Sequence, residues 1–552
     1  MGEVIRHEAT TIGSLVRAGA YAARRRLAVL AALVGLANLI VLLIQGQALV
    51  HSLVLNADNA AAFVVPALAG HASAGSIINL GDHPWYEPWW FMRATADLPH
   101  YRALWEAGPF AATWLGIAAV AACAWSALGR LAGLLCAVSL LSASEELRDI
   151  VYVPESHGLI VVHVGVLCGA LLYVHNRALK GRLTLAVLLL IGVPLVVFTG
   201  AGLTDQLLFV AGLAPYILAP LLCWWRFGAR AWRTVSMFAL VTGVLAALLA
   251  LLLTHIMQEQ HVVHTPFPID FVPESLVLVN LQNLIGAVAL LGGGSFFGAP
   301  VSGSNLFVFA AGLLTLLAVA VVLRALERWG RWTARSLEPL SAQAGARELY
   351  VAFWGLVLML VVAAFSLTSL SGEAAHARYI LGAWAALAAL LGILYASTVP
   401  VARTVTILAV CLFGLLNLRT ELAVGVPSSD TDLRAAGEIE RFALAHGASV
   451  GYSGYWDSAP VTWEAHLRVT VYPIEPCAAP TGWCPFPGNQ INTWYVPRPR
   501  TRTFLVTDTR PGITLAVGAP PASFGHPLVE EGLGEGFAIY VYNHDIAADI
   551  GR

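Results

Sequence analysis

A few residues in this sequence combine a reactive side chain with a placement that is costly for it. Asp58 lies in the run Asn56, Ala57, Asp58, Asn59, shortly after a long apolar stretch over residues 27 to 49. A carboxylate held that close to a bilayer surface bears a desolvation cost, a cost usually tolerated for a purpose such as proton transfer. Its alternative use is structural, with Asp58 or Asn59 capping the helix that follows. Arg378 sits in His376, Ala377, Arg378, Tyr379, just ahead of another apolar run. A guanidinium there can engage a phosphate through two parallel hydrogen bonds, or anchor at the interface by snorkelling. Glu155 and His157 close a dense titratable set that includes Glu145, Glu146 and Asp149, with Arg148 as a neighbour to pair with. They stand immediately before an apolar run and can point into a cavity. Trp85, Tyr86, Trp89 and Trp90 surround Glu87; such rings form the aromatic belt at headgroup level, and they are also faces on which sugars stack.

Other chemistry finds little support. His255, Glu259, His261 and His264 fit no closed metal-ligand spacing. Gly292, Gly293 and Gly294 follow no strand, so they are expected to form a flexible turn rather than a phosphate cradle. The cytoplasmic stretches carry no phosphate-binding motif, which argues against a nucleotide-driven pump, and no nucleic-acid partner is expected.

The elements that must position these groups are membrane helices. The chain is 58% hydrophobic and 12% charged, outside the range of soluble domains. About 20 apolar residues cross a bilayer as a helix. By that measure about eleven spans emerge, at residues 27–49, 109–128, 131–144, 159–174, 183–199, 207–225, 234–254, 305–323, 349–367, 379–397 and 404–418. The first is too long for a cleavable signal and is expected to remain. Basic residues gather at Arg24 to Arg26, at Arg177, Lys180 and Arg182, at Arg226, Arg230 and Arg233, and from Arg324 to Arg347. All fall inside if the N-terminus is cytoplasmic, whereas only Arg93, Arg102, Arg148 and Arg378 then lie in outer loops. The odd number of spans puts the C-terminal tail outside.

The expected organisation is a membrane domain, residues 1–418, with large external loops at 50–108 and 255–304, followed by an extracytoplasmic α/β domain, residues 419–552, resting on its outer surface. In the tail, residues 432–446 have helical spacing, and 448–455, 503–507 and 537–542 read as strands. Residues 473–499, rich in Pro, Gly and Trp, read as a loop. Five cysteines lie within spans, where they pack as small apolar residues. Cys477 and Cys484 lie in the external tail, where an oxidising compartment makes a disulfide the expectation.

Taken together, Asp58 opening a long first external loop, about eleven spans, Arg378 and Tyr379 ahead of a late span, and an external α/β tail with Tyr455 and Trp456 at a strand end resemble the GT-C superfamily of integral membrane glycosyltransferases. The likeness is to the bacterial proteins similar to protein mannosyltransferases and aminoarabinose transferases, and it extends over the whole chain as a layout. It implies a polytopic helical membrane protein of the bacterial inner membrane. That protein would transfer a sugar from a polyprenyl-phosphate donor to an extracytoplasmic glycan, lipid or protein acceptor. Asp58 would be the general base and Arg378 the phosphate ligand; Tyr379, Glu155, His157, Trp85 and Trp89 would line the substrate site. The family often has paired acidic residues in the first loop, where this chain has Asp58 followed by Asn59, and Glu155 and Glu146 compete for a second acidic position. No metal ligand is assigned, and a divalent cation is neither required nor excluded. Two other classes remain: a transporter or flippase of lipid-linked glycans, which needs ionisable groups at mid-membrane, and a non-enzymatic envelope assembly protein.

Overall fold

The computed structural model describes residues 25–45, 57–70, 72–73, 75–80, 86–95, 101–142, 144, 157–264, 269–294, 302–303, 305–333, 342–371, 374–396, 400–424, 430–478, 482–511, 515–534 and 536–551. Among them the chain is mostly helical. The bundle and its outer loops contain α1 (Arg25–Gln45), α2 (Ala57–Ala69), α3 (Tyr86–Thr95), α4 (Tyr101–Leu128), α5 (Arg130–Leu141), α6 (Ile160–Leu179) and α7 (Leu185–Gly202). There follow α8 (Gln206–Phe227), α9 (Arg230–Glu259), α10 (Glu274–Leu291), α11 (Asn305–Thr333), α12 (Ala342–Leu367), α13 (Leu381–Ala396) and α14 (Pro400–Val424). The tail adds α15 (Asp430–Ala445) and α16 (Tyr455–Glu464).

Eleven helices among the described residues are long and apolar enough to cross a membrane. Ten coincide with predicted spans. The eleventh is α10, which lies in the stretch expected to be loop; conversely, the predicted span 131–144 is the twelve-residue α5. At 1.5 Å per residue α5 is about 18 Å long, short of a bilayer core. Its place is nonetheless interior, because it folds back along α4 and packs against α13 and α14.

Side-chain size explains which helices are central. On α13, Ala383, Ala385, Ala386, Ala388 and Ala389 are all buried, and small residues let neighbouring backbones approach closely. On α12, Tyr350, Phe353, Trp354 and Phe365 fill the space around it without exposure. The ends of the bundle are aligned by one contact set: His175 of α6 stacks on Trp232 of α9 at 4.2 Å, and a Cβ on Gly345 of α12 would lie 2.7 Å from the His175 ring. The far ends of these helices, Ile160, Glu259 and Leu367, therefore share the opposite end, called outer below.

Helix α10 does not traverse this frame. Asn280 donates to the carbonyls of Ser366 and Thr368, both at 3.1 Å, which are at the outer end of α12. Its C-terminal turn, Gly292 to Gly294, meets Thr315, Asn417 and Gly312. Thr315 lies ten residues into α11, about 15 Å along it. Both ends of α10 are thus in the outer half. The glycine run is a close-packed turn rather than the expected flexible one: Gly293 has φ +79°, and a Cβ on Gly294 would lie 2.2 Å from the Gly312 Cα.

The tail carries a six-stranded sheet, β3 (Val450–Ser453), β4 (Thr470–Pro476), β5 (Trp483–Pro485), β7 (Thr503–Asp508), β8 (Val529–Gly534) and β9 (Phe537–Tyr542), in the order β5-β4-β3-β7-β9-β8. Strands β4, β3 and β7 are parallel, and β5, β9 and β8 are antiparallel to their neighbours. The predicted strands at 503–507 and 537–542 are β7 and β9. The predicted strand at 448–455 is shorter, because Gly454 starts α16 and puts Tyr455 and Trp456 in its first turn. The predicted loop contains the β4-β5 hairpin instead, braced by the Cys477 to Cys484 disulfide with Cα atoms 5.8 Å apart. One face of the sheet is covered by α15 through Ala435, Ala436, Ile439 and Ala443.

The other face sits on the bundle. A second small sheet joins β1 (Ile78–Asn79) of the first loop to β2 (Val262–Val263), parallel, and to β6 (Gln490–Ile491) of the tail, antiparallel. Beneath it Val65, Trp89, Met257, Tyr472, Trp494 and Tyr542 share one core. Helix α2 packs against α16, with Phe63 between Trp105 and Trp463 at ring distances of 4.7 and 5.0 Å. The three large outer segments therefore form one layer.

Candidate active site

Two turns at the outer end bring together residues distant in sequence. The first precedes α6. His157 has φ +67° and is fully buried, and its carbonyl accepts the Ile160 amide at 3.0 Å. A non-glycine residue in the left-handed region stores strain, which persists only where surrounding contacts enforce it. The enforcing contact comes from the turn between α7 and α8: Asp205, 1% exposed, lies with Oδ2 2.6 Å from His157 Nδ1. Its Oδ1 accepts the Leu207 amide at 2.8 Å and so caps α8. A carboxylate has no proton to give, so the hydrogen of this bond is carried by Nδ1. Immediately after the cap, α8 passes through a π-helical turn at Phe209–Leu213, a local widening frequent at functional sites.

The second turn is the 3-10 segment Ala374–Ile380, which runs into α13. Tyr379 is buried there, its ring 5.3 Å from the His157 ring. Arg378 is half-buried and donates from Nη2 to the Tyr379 hydroxyl at 3.1 Å; its guanidinium lies 5.0 Å from that ring's centre. A guanidinium, a phenol and an imidazole fixed by a carboxylate thus meet in one place. Such a set can bind an anion and orient a hydroxyl.

Of the residues singled out from sequence, the structure brings His157, Arg378 and Tyr379 together. Trp89 is 6% exposed and packs in the core beneath the small sheet, while Trp90 on the same helix is 38% exposed. Asp58 is the second residue of α2, in the layer under the tail; its side chain lies outside the described residues, as do Trp85 and Glu155. Asp205 was legible only as a turn residue. The available signal was a lone carboxylate between two apolar runs, a group that a membrane protein seldom leaves without a partner. Among the described residues no three His, Cys, Asp or Glu converge as a metal set, His255, Glu259, His261 and His264 included.

No protein-family model matches this sequence, and no curated protein matches it. Among solved structures it is similar to the archaeal oligosaccharyltransferase AglB from Archaeoglobus fulgidus in complex with an inhibitory peptide and a dolichol-phosphate. That match has 14% identity over 79% of this chain and 64% of that one, with a TM-score of 0.40. It is also similar to the Archaeoglobus fulgidus oligosaccharyltransferase tethered with an acceptor peptide containing the NVT sequon via a disulfide bond, at 13% identity over 79% and 63%, with a TM-score of 0.39. The chain spans just under two thirds of the length of either.

Proposed function

We propose that this chain is a membrane glycosyltransferase of the GT-C type, which transfers a sugar from a polyprenyl-phosphate donor to an extracytoplasmic glycan, lipid or protein acceptor. The observation that supports this most is the meeting of Arg378, Tyr379 and the His157 to Asp205 pair at the outer end of an apolar bundle. Departure of a glycosyl phosphate develops negative charge on the leaving group and positive charge on the sugar. Arg378 faces the first with a rigid fork of donors. The buried His157 to Asp205 pair backs the ring of Tyr379, whose hydroxyl accepts from Arg378. Asp58, at the start of α2, takes the acceptor's proton as general base. The lipid tail would enter between the spans, which is why such a catalyst is built of membrane helices.

The orientation in this reading has the N-terminus cytoplasmic and the tail outside, in a bacterial inner membrane. It is favoured by the basic clusters together with the geometry of two helices. With both ends of α10 in the outer half and α5 running back from the inner end of α4, the alternation of inner and outer ends closes.

The test uses purified protein in nanodiscs, with undecaprenyl phosphate for binding and a polyprenyl-phosphate sugar for transfer. A hydrogen bond to a charged group contributes about 1.5–3 kcal/mol, so Arg378→Ala should weaken binding about 10- to 100-fold. Arg378→Lys should recover only part, because an ammonium lacks the forked geometry. Unaltered undecaprenyl phosphate binding by Arg378→Ala would remove the basis of the assignment.

A further inference from the structure

The turn that carries Arg378 packs against another helix, α10. Helix α12 ends at Leu367, and the connection 368–371 leads toward the 3-10 turn Ala374–Ile380 that carries Arg378 and Tyr379. The last carbonyls of a helix have no partner within it, and here two of the residues that carry them, Ser366 and Thr368, are buried. Asn280 of α10 supplies both of its amide hydrogens to this end, one to Ser366 O and one to Thr368 O, each at 3.1 Å. Asn283, three residues on and so on the same helix face, donates to Ser371 O at 3.0 Å. The Ser371 hydroxyl returns a bond to the Asn280 carbonyl at 3.4 Å.

The segment before α10 is tied to the same connection. Val272 N donates to Leu367 O at 3.0 Å, and Ser369 N to Asp270 O at 2.9 Å. Leu276, Leu278, Leu281 and Ile285 of α10 face outward and are exposed, so the two asparagines are its polar contribution to this contact. Asn280 is only 5% exposed. Helix α10 also packs directly on Ala374–Ile380.

We propose that Asn280 and Asn283 are positioning residues. They fix residues 366–371, and through them the turn that carries Arg378, in the conformation that presents the guanidinium to the donor phosphate. The inference rests on the reading of Arg378 as the phosphate ligand, yet it has a readout independent of that reading.

The experiment uses the full chain in nanodiscs with Asn280→Asp, which keeps the shape of the side chain and sets a carboxylate against two carbonyl oxygens. Asn283→Ala, losing one bond, serves if the first variant does not fold. Amide hydrogen exchange is followed in 374–380 and, as a control, in 537–542 of the tail sheet. Binding is measured for undecaprenyl phosphate and for undecaprenol. Exchange should rise in 374–380 and not in 537–542, and undecaprenyl phosphate binding should fall about tenfold with undecaprenol unaffected. The same change introduced into Arg378→Ala should cost no further affinity, because coupled residues are not additive. Wild-type exchange at 374–380 in both variants overturns the proposal whatever the lipid does. Raised exchange there in a protein whose wild type ignores undecaprenyl phosphate upholds the clamp and sinks the phosphate reading of Arg378 instead.

Discussion

Asp205 performs two tasks with two oxygens, and a pair of substitutions separates them. In Asp205→Asn the carbonyl oxygen can still accept the Leu207 amide, now 2.8 Å from Oδ1. The amide nitrogen then replaces Oδ2, which lies 2.6 Å from His157 Nδ1. Two donors would face each other unless the ring moves its hydrogen to Nε2. Both side chains are fully buried in this pair, so water does not take over the lost bond. A charge-assisted hydrogen bond of this kind contributes about 1.5–3 kcal/mol, and Asp205→Asn should lose that much stability. Asp205→Ala removes the helix cap as well, a further loss of about 1 kcal/mol. Undecaprenyl phosphate affinity should fall about 10- to 100-fold in both, since about 1.4 kcal/mol is a factor of ten. Thermal and denaturant unfolding in one detergent, with lipid binding measured in parallel, reads these quantities. An Asp205→Asn protein as stable and as competent in binding as the wild type would refute the orienting role; equal stability for Asn and Ala would refute the cap.

Three further outcomes are expected. Asp58→Asn should lower transfer by about 10²- to 10⁴-fold, the range for a positioned general base, with undecaprenyl phosphate binding retained; near-normal turnover in a product assay would rule out that role. Gly294→Ala should destabilise the bundle by about 1–3 kcal/mol, because its Cβ meets the Gly312 backbone at 2.2 Å, which cannot yield as a side-chain end can; an unchanged unfolding midpoint would contradict the close-packed turn. Cys477→Ser with Cys484→Ser should cost the tail domain about 2–3 kcal/mol for a loop this short, seen as earlier proteolysis of the tail, and a protease-resistant tail would show the bridge to be dispensable.

Much of the architecture is written in local pattern. Ten of the membrane-length helices are legible because a long apolar run has only one way to satisfy its backbone away from water, by bonding within itself. Strands β7 and β9 are legible from their β-branched and aromatic composition, and the Cys477 to Cys484 bridge from short spacing in the tail. His157, Arg378 and Tyr379 could be singled out because each stands at the end of an apolar run, where a polar side chain is costly.

What local pattern cannot carry is the identity of partners. An apolar run of 18 residues reads alike whether it crosses a bilayer or dips and returns, so α10 was decided by where Asn280 and the Gly292–Gly294 turn find their contacts. Helix α5 is too short by length alone and is interior because α4, α13 and α14 enclose it. Trp89 has the same indole whether it faces a sugar or a core, and packing beneath β1 buried it. Asp205 lies 48 residues from His157, and nothing near either residue names the other. Their bond exists because α6, α7 and α8 pack so that two turns meet at one end. Pairing of that kind is a property of the assembled bundle, in which the low dielectric makes an unmatched buried group costly and so selects the arrangement that matches it.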